Sequence, residues 1–250
     1  MTLPASFLAR PIAHRALHDR AAGRVENSLK SVQAAIDAGY GIELDLQLSC
    51  DGHAMMFHDD VLDRLTAETG PVKSRSRAEL KAIALKDDGG TIPALSTVLK
   101  HVGGQVPLLI EIKDQDGAMG PDVGALEEAT CKALKGYDGD VALMSFNPHT
   151  VAKCAALAPH IPRGLVTAGY EGLYWDYIPA ATRNRLREIP DYDRTGACFI
   201  SHDVGDLDRP RVAALKARGA RILTWTIRSA AQEAEARRIV DNVTFEGYLA

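Results

Sequence analysis

Two carboxylate residues share one face of the strand-like segment GIELDLQLS at residues 41–49. Successive side chains of a strand point to opposite faces, so Glu43 and Asp45 lie on one face and the neighbouring leucines lie on the other. Like charges side by side on an apolar strand destabilise it unless a partner compensates them. The pair therefore predicts an opposing cation, either a metal ion or a basic side chain.

A second strand-like segment, PLLIEIK at residues 107–113, repeats the pattern. Glu111 and Lys113 share one face, and two isoleucines share the other. Three carboxylates from two strands that point into one space would form a hard oxygen-ligand site, which suits Mg²⁺ or Ca²⁺. The spacing leaves open the alternative that the acids pair with Arg15 and Lys113 in a structural ion-pair network.

Two histidines also stand at strand ends. His14 lies near the end of the segment PIAHR at residues 11–15, and His58 lies near the end of HAMMFHD at residues 53–59. Because an imidazole titrates near neutral pH, two of them beside a metal could serve as general base and general acid. A lone histidine is more often a structural residue, so the pattern alone does not assign this chemistry.

The elements that must position these residues alternate between short apolar strands and helical segments. We predict strands at residues 11–15, 41–49, 107–113, 141–146, 163–167, 197–203, 221–227 and 242–248. Eight strands alternating with helices over 250 residues predict an α/β fold, specifically a (β/α)8 TIM barrel. An open doubly wound sheet is less consistent, because the first βα turn lacks a glycine-rich phosphate loop.

Two regions depart from this alternation within a predicted single domain of residues 1–250. Residues 50–92 hold an extra strand-like run, HAMMFHD, and a polar region before the next helix, and residues 169–196 are predicted to be a long loop or short helices. In the first helix, we expect Asn27 to be the N-cap and Gly39 to end the helix.

The composition limits the classes of partner. A net charge of −4 provides no basic excess for nucleic acid, and no run approaches the roughly 18 apolar residues that membrane insertion requires. Four scattered cysteines and a first segment, MTLPASFLAR, without the apolar core of a signal peptide predict a cytoplasmic protein. The sequence leaves the oligomeric state open.

An ordered series of motifs resembles the glycerophosphodiester phosphodiesterase family. The series covers nearly the whole chain, although residues 114–196 match more loosely. Its pieces, in family order, are AHR at residues 13–15, ENS at 26–28, the acid-pair segment GIELDLQLSCDGHAMMFHDDVLDRLT at 41–66, IPALSTVL at 92–99, LLIEIK at 108–113 and ILTWTI at 222–227.

The resemblance implies a TIM barrel with a small insertion after the second strand, a divalent metal cofactor (Mg²⁺ or Ca²⁺) and a small glycerophosphodiester substrate. It also implies a place in glycerol and lipid metabolism. By this resemblance the metal ligands are Glu43, Asp45 and Glu111, the acid/base pair is His14 and His58, and the substrate contacts are Arg15, Lys113 and Trp225.

The chain departs from the family pattern at two places. Ala16 replaces the usual glycine after the His-Arg pair, which is tolerable only if its φ is negative. The chain ends in TFEGYLA instead of the usual family ending, and Glu246 is expected to line the pocket mouth and contact the head group. The alternative for Glu246 is an ordinary acid at a strand end.

The expected reaction is metal-dependent hydrolysis of a glycerophosphodiester to sn-glycerol 3-phosphate and an alcohol. A related activity on lysophospholipids would need an apolar groove, for which YEGLYWDYIP at residues 170–179 is the candidate. A catalytically inactive phosphodiester-binding protein would be expected to lack one of the histidines or acids. A hydrolase of the amidohydrolase type would be expected to have a His-x-His pair on the first strand, and the segment AHRAL lacks this pair.

Overall fold

The computed structural model describes residues 1–250, and eight parallel strands close into a barrel. Closure occurs at the first strand, where Ile12 pairs with Gly41 on one side and with Thr244 on the other. The strands are β1 (Ile12–Ala13), β2 (Gly41–Leu48), β3 (Ala54–Met56), β4 (Leu108–Ile112), β5 (Val141–Ser145), β6 (Arg163–Thr167), β7 (Phe199–Asp203), β8 (Arg221–Ile227) and β9 (Asn242–Phe245). The ninth strand, β3, lies outside the barrel and pairs antiparallel with β2. The prediction of a TIM barrel is therefore confirmed.

Helices connect the strands and cover the outside of the barrel. They are α1 (Ser6–Ala9), α2 (Leu29–Ala38), α3 (Arg77–Ala82), α4 (Leu95–Val102), α5 (Ala125–Leu134), α6 (Pro148–Leu157), α7 (Ala180–Arg187), α8 (Pro210–Ala217) and α9 (Ala230–Ala236). The sequence did not reveal α1, whose Phe7 is buried in the barrel interior. None of the helices combines the length and apolarity that crossing a membrane requires.

The two faces of β2 and β4 enter different parts of the core. Leu44 and Leu46 belong to the larger apolar cluster, which includes Val32 of α2 and Val98 of α4 and so lies between strands and helices. A smaller cluster inside the barrel includes Leu109 of β4, on the same face as Glu111. The acids therefore face the barrel interior, as the alternation predicted.

The two irregular regions take the forms expected of them. Residues 50–92 contain β3, α3 and a separate apolar cluster around Met55 and Leu62, so the insertion packs around a small core of its own. Residues 169–196 contain a 3₁₀-helix at Leu173–Trp175 and the helix α7.

The predicted N-cap of α2 is wrong by one residue. Ser28 is the N-cap, and its hydroxyl accepts a hydrogen bond from the Ser31 backbone N at 3.2 Å. Asn27 is buried instead, with its side-chain Nδ2 donating to Asp45 at 2.8 Å. Asn27 and Ser28 are both residue types that cap helices. Because Asn27 bonds to the buried carboxylate of Asp45, Ser28 is the residue that caps α2. The helix ends at Gly39 as predicted, with a φ of 70°.

The expectation of a negative φ at Ala16 is also wrong. Ala16 has a φ of 64°, and Arg15 before it has a φ of 53°. This left-handed turn lets the backbone N of Arg15 donate to Glu43 Oε2 at 2.8 Å and that of Ala16 donate to Glu43 O at 2.9 Å. A left-handed conformation costs a non-glycine residue roughly 1–2 kcal/mol, so contacts with β2 must hold the turn in place.

Candidate active site

A cavity of about 160 Å³ opens where the carboxyl ends of the strands meet. This face is where TIM barrels carry their active sites. The cavity brings together eight of the nine residues singled out from the sequence. They are His14, Arg15, Glu43, Asp45, His58, Glu111, Lys113 and Trp225. The ninth, Glu246, does not line the cavity but lies behind His14.

Three carboxylates on neighbouring strands line one side of the cavity. Asp45 of β2 pairs in register with Glu111 of β4, and Glu43 lies one step earlier on the same face of β2. Each of the three offers an oxygen within 4.8 Å of the others, and all three residues are buried. The parallel register thus gathers the acids that the sequence placed on separate strands.

Basic side chains compensate part of this charge. Lys113 Nζ lies 2.7 Å from Asp45 Oδ1 and 2.7 Å from Glu111 Oε1. Arg15 Nε is 3.7 Å from Asp45, but the same guanidinium donates to Glu26 at 2.7 Å. The ion-pair network considered as an alternative therefore exists, yet Lys113 contacts only Asp45 and Glu111, and no basic side chain forms an ion pair with Glu43.

The electrostatics of the acids differ from one another. Burial alone would raise the pKa of Asp45, but the attraction of Lys113 and other nearby cations holds it well below its usual range. Burial raises the pKa of Glu43, and the charges of Asp45 and Glu111 raise it further. Burial would lower the pKa of Lys113, yet its two carboxylate partners keep it above the ordinary value.

The donor set fits a divalent cation. Three buried carboxylates within reach of one another supply hard oxygen ligands, which Mg²⁺ and Ca²⁺ prefer. The basic side chains pair with Asp45 and Glu111, which leaves the Glu43 carboxylate for such an ion to balance.

His14 forms a short hydrogen bond with a carboxylate. Its Nδ1 lies 2.6 Å from Glu246 Oε2, while Glu246 Oε1 contacts the Arg228 guanidinium at 2.7 Å. Hydrogen bonds from His14 and His18 hold the pKa of Glu246 far below its usual range, so the carboxylate is an acceptor only. The Nδ1 of His14 must then carry the proton, and Nε2 of the neutral ring remains free to accept one.

The environment of His14 favours the neutral ring. Burial lowers the pKa of His14, and the positive charge of Arg15 lowers it further. The hydrogen bond and negative charge of Glu246 act in the opposite direction without cancelling the effect of burial.

His58 has a matching arrangement on the other side of the cavity. Its Nδ1 lies 2.7 Å from Asp59 Oδ1. Asp59 and Glu26 both accept hydrogen bonds from the Arg64 guanidinium, at 2.7 Å in each case. One arginine thus fixes the carboxylate behind His58 and the carboxylate that holds Arg15. The sequence showed Asp59 beside His58 but gave no sign of Arg64.

Apart from Arg228, which directly follows β8, the opposite wall of the cavity is neutral. Trp225 lines it, with the indole N–H donating to the Ser201 carbonyl at 3.0 Å and the ring 5.5 Å from that of Phe146. The hydroxyls of Ser201 and Thr244 are buried in this wall without a hydrogen-bond partner in the protein. They are free to bond with a hydroxyl group of a ligand, and sequence reasoning missed them because serine and threonine are ordinary strand residues.

The model of the glycerophosphoryl diester phosphodiesterase family matches residues 14–244. A glycerophosphodiester phosphodiesterase of Caldanaerobacter subterraneus subsp. tengcongensis is 33% identical over 56% of this chain and 60% of its own length. A glycerophosphodiester phosphodiesterase of Bacillus subtilis is 26% identical over 80% of this chain and 70% of that protein. The match to the Caldanaerobacter protein therefore covers less than two thirds of the length of that protein.

A solved structure agrees over a longer stretch. A phosphodiesterase of Oleispira antarctica in complex with the product sn-glycerol-3-phosphate superposes with a TM-score of 0.78 and 26% identity. The match covers 96% of this chain and 94% of that one.

Proposed function

The chain belongs to the glycerophosphoryl diester phosphodiesterase family, and we propose that it hydrolyses a glycerophosphodiester to sn-glycerol 3-phosphate and an alcohol. One observation carries the proposal: three buried carboxylates lie in one cavity with two histidines, each hydrogen-bonded to a carboxylate of its own. The similar Oleispira antarctica structure, which contains sn-glycerol-3-phosphate, supports this choice of product.

Glu43, Asp45 and Glu111 would hold a divalent cation, either Mg²⁺ or Ca²⁺. When bound, such an ion polarises phosphoryl oxygens as a Lewis acid. Lys113, tied to two of these carboxylates, adds positive charge at the same place.

Arg15 would orient the phosphoryl group. Its NH1 donates to Glu26, and its Nε is buried in the cavity wall without a hydrogen-bond partner. A phosphate oxygen would satisfy this donor in the fork geometry that guanidinium groups offer to oxyanions. The contact with Glu26 keeps the guanidinium in position before substrate arrives.

The two histidines differ in what lies around them. His14 has a free Nε2 and a lowered pKa, which suits a general base that removes a proton from the nucleophile. His58 lines both this cavity and a wider neighbouring one, so it is placed to protonate the departing alcohol oxygen. We assign the base role to His14 and the acid role to His58.

A lysophospholipid is the second candidate substrate. Leu173 is 89% exposed and Tyr174 is 71% exposed, and Tyr174 lines the cavity. An acyl chain could lie across these side chains, but the two residues form a small patch compared with the polar lining of the cavity. An inactive binding protein is disfavoured, because both histidines and all three acids are present and assembled.

The proposal is tested by following glycerophosphocholine hydrolysis by ³¹P NMR in the presence of Mg²⁺ or Ca²⁺. The native protein is expected to release sn-glycerol 3-phosphate, and His14→Ala to lower the rate about 100-fold or more. His101→Ala, at an exposed position on α4, is the matched control and should keep the native rate. Undiminished hydrolysis by His14→Ala contradicts the mechanism, and faster turnover of lysophosphatidylcholine would favour the second candidate.

A further inference from the structure

The guanidinium of Arg64, a residue in the insertion of residues 50–92, bridges two carboxylates beside the candidate active site. Its side chain is 44% exposed, and it lines neither the cavity that holds the acid cluster nor the wider cavity beside it. The guanidinium nevertheless donates four hydrogen bonds, all of them to the carboxylates of Asp59 and Glu26. Exposed ion pairs contribute little to stability, so this arrangement points to a role in orienting the two carboxylates.

The first carboxylate, that of Asp59, lies directly behind His58. Arg64 Nε donates to Asp59 Oδ2 at 2.7 Å and its NH2 group donates to Oδ1 at 2.8 Å, so both oxygens are held by the guanidinium fork. Burial would raise the pKa of Asp59, but the hydrogen bonds from His58 and Arg64 hold it well below its usual range. The carboxylate is therefore an acceptor only, and Nδ1 of His58 donates to it at 2.7 Å. The orientation of Asp59 thus fixes that of the imidazole.

The second carboxylate, that of Glu26, holds Arg15. Arg64 donates to Glu26 Oε2 through NH1 at 2.8 Å and to Oε1 through NH2 at 2.7 Å, and Arg15 NH1 donates to the same Oε1 at 2.7 Å. Burial would raise the pKa of Glu26, but the hydrogen bonds from Arg64 and the charge of Arg15 lower it to about 2. Glu26 therefore stays charged and keeps the guanidinium of Arg15 in the position from which it lines the cavity.

The insertion anchors the backbone from which Arg64 extends. Leu62 and Leu65, on either side of it, are buried in the apolar core of the insertion. The ammonium group of Lys86 donates to the backbone carbonyl of Arg64 at 3.0 Å, and the Lys86 backbone N donates to the Leu65 carbonyl at 2.8 Å. The core of the insertion therefore sets the place of the main chain that carries the guanidinium.

Four charged groups alternate in sign between the cavity wall and His58. They are, in order, Arg15, Glu26, Arg64 and Asp59, and the hydrogen bonds that join them are 2.7–2.8 Å long. Arg64 is the member that contacts both carboxylates. Its removal would therefore leave Glu26 with Arg15 and Asp59 with His58 as two separate pairs.

We propose that Arg64 is a positioning residue, which holds His58 and Arg15 in one fixed arrangement before the substrate binds. This inference rests on the proposed function, in which His58 protonates the leaving group and Arg15 orients the phosphoryl group. Groups that are held in place before the reaction lower its barrier, and a displacement of about 1 Å can cost about 100-fold in rate. The insertion thereby contributes to the reaction although Arg64 lines neither cavity.

Two esters that differ in their need for an acid provide the test. The alcohol of glycerophosphocholine must be protonated as it leaves, whereas the matching 4-nitrophenyl ester releases a stable anion. For Arg64→Gln we expect kcat to fall about 100-fold with glycerophosphocholine but about tenfold or less with the 4-nitrophenyl ester, and KM to rise about threefold with both. An equal loss of kcat with both esters, or no loss, would overturn the proposal, because a merely structural role affects both alike.

Arg64→Lys keeps the positive charge and provides the same test if Arg64→Gln does not fold. An ammonium group is a point charge that cannot engage both oxygens of two carboxylates. We expect circular dichroism to show a folded protein whose kcat falls about tenfold with glycerophosphocholine and less than about threefold with the 4-nitrophenyl ester. Native kcat values with both esters would show that charge alone suffices and would overturn the proposal.

Arg75→Gln is the matched control. Arg75 lies in the same insertion, pairs with the single carboxylate of Glu68 at 3.2 Å and lines neither cavity. We expect this variant to keep the native kcat and KM with both esters. A loss equal to that of Arg64→Gln would mean that any change of charge in the insertion has this effect, which would overturn the assignment to Arg64.

Product binding separates the proposal from the proposed function. If the native protein hydrolyses neither ester, the proposed function fails, and calorimetric titration with sn-glycerol 3-phosphate then judges Arg64 through its hold on Arg15. Binding that weakens about threefold or more in Arg64→Lys, and not in Arg75→Gln, supports the positioning role. No binding by the native protein, or equal binding by the native protein and Arg64→Lys, overturns it.

Discussion

The two sides of the barrel mouth differ in the kind of residue they use. On the side of β2 and β4, the cavity is lined by charged groups that are paired with one another, such as Asp45 with Lys113. On the side of β7, β8 and β9, it is lined mainly by neutral groups, namely Ser201, Trp225 and Thr244, and Arg228 after β8 is the exception. Acid, base and metal chemistry allow few residue types, whereas a neutral wall can be built in many ways.

The difference also appears in the energetics of the two sides. The charged side buries three carboxylates and holds Arg15 and Ala16 in left-handed conformations, both of which cost folding free energy. The neutral side packs apolar and aromatic groups and leaves only hydroxyls unpaired. Substitutions on the charged side should therefore affect catalysis strongly, and those on the neutral side should affect it mildly.

The largest effect is expected for Asp45→Asn. The substitution removes one negative charge from the acid cluster and leaves Lys113 with one carboxylate partner. We expect the hydrolysis rate to fall about 1,000-fold or more, a loss of several kcal/mol of transition-state stabilisation. Steady-state kinetics measure the rate, and circular dichroism verifies that the variant is folded. A folded variant with a rate within tenfold of the native rate would show that the reaction does not depend on Asp45.

A smaller effect is expected for Glu246→Gln, because Glu246 acts through His14. The hydrogen bond and charge of Glu246 raise the pKa of His14, so their loss lowers it. Since the base must be neutral, the acidic limb of the kcat/KM profile should move to lower pH while the maximum rate falls about 10- to 100-fold. A reduced rate with an unmoved acidic limb would show that Glu246 has a structural role only.

The neutral side is tested by Ser201→Ala. The hydroxyl is buried without a protein partner, so its removal leaves no group unsatisfied. We expect KM to rise about threefold to tenfold, consistent with one lost hydrogen bond to substrate, and kcat to change less. A kcat loss as large as that of Asp45→Asn would contradict the expectation that substitutions on the neutral side affect catalysis only mildly.

The smallest effect concerns the strained turn. Ala16→Gly should relieve the left-handed strain at a φ of 64° while making the unfolded chain more flexible. We expect the free energy of unfolding to rise by about 0.5–1 kcal/mol, measured by urea denaturation. A loss of more than about 1 kcal/mol would mean that the turn is not strained.

The charged side could be predicted from the sequence, and the neutral side only in part. The period of two placed Glu43, Asp45 and Glu111 on inward faces, and the strand ends placed His14 and His58 at the mouth. Trp225 was found through the resemblance. Their presence in one cavity is observed; their roles are proposals.

The remaining features depend on contacts that no local pattern records. The φ of Ala16 follows from the Arg15 contact with Glu43, 28 residues away, and Glu246 meets His14 across 232 residues. The N-cap at Ser28 was missed because Asp45 on β2 engages the side chain of Asn27. Glu246 was expected to contact substrate, but it lies outside the cavity lining, so this contact stays a prediction.

Metal dependence tests the central claim most directly. The protein is stripped with a chelator, and sn-glycerol 3-phosphate release from glycerophosphocholine is measured before and after addition of Mg²⁺ or Ca²⁺, alongside calorimetric titration of the ion. The acid cluster predicts that stripping abolishes release, that one of the two ions restores it, and that Asp45→Asn binds that ion more weakly. Full activity of the stripped protein without added ion would contradict the account.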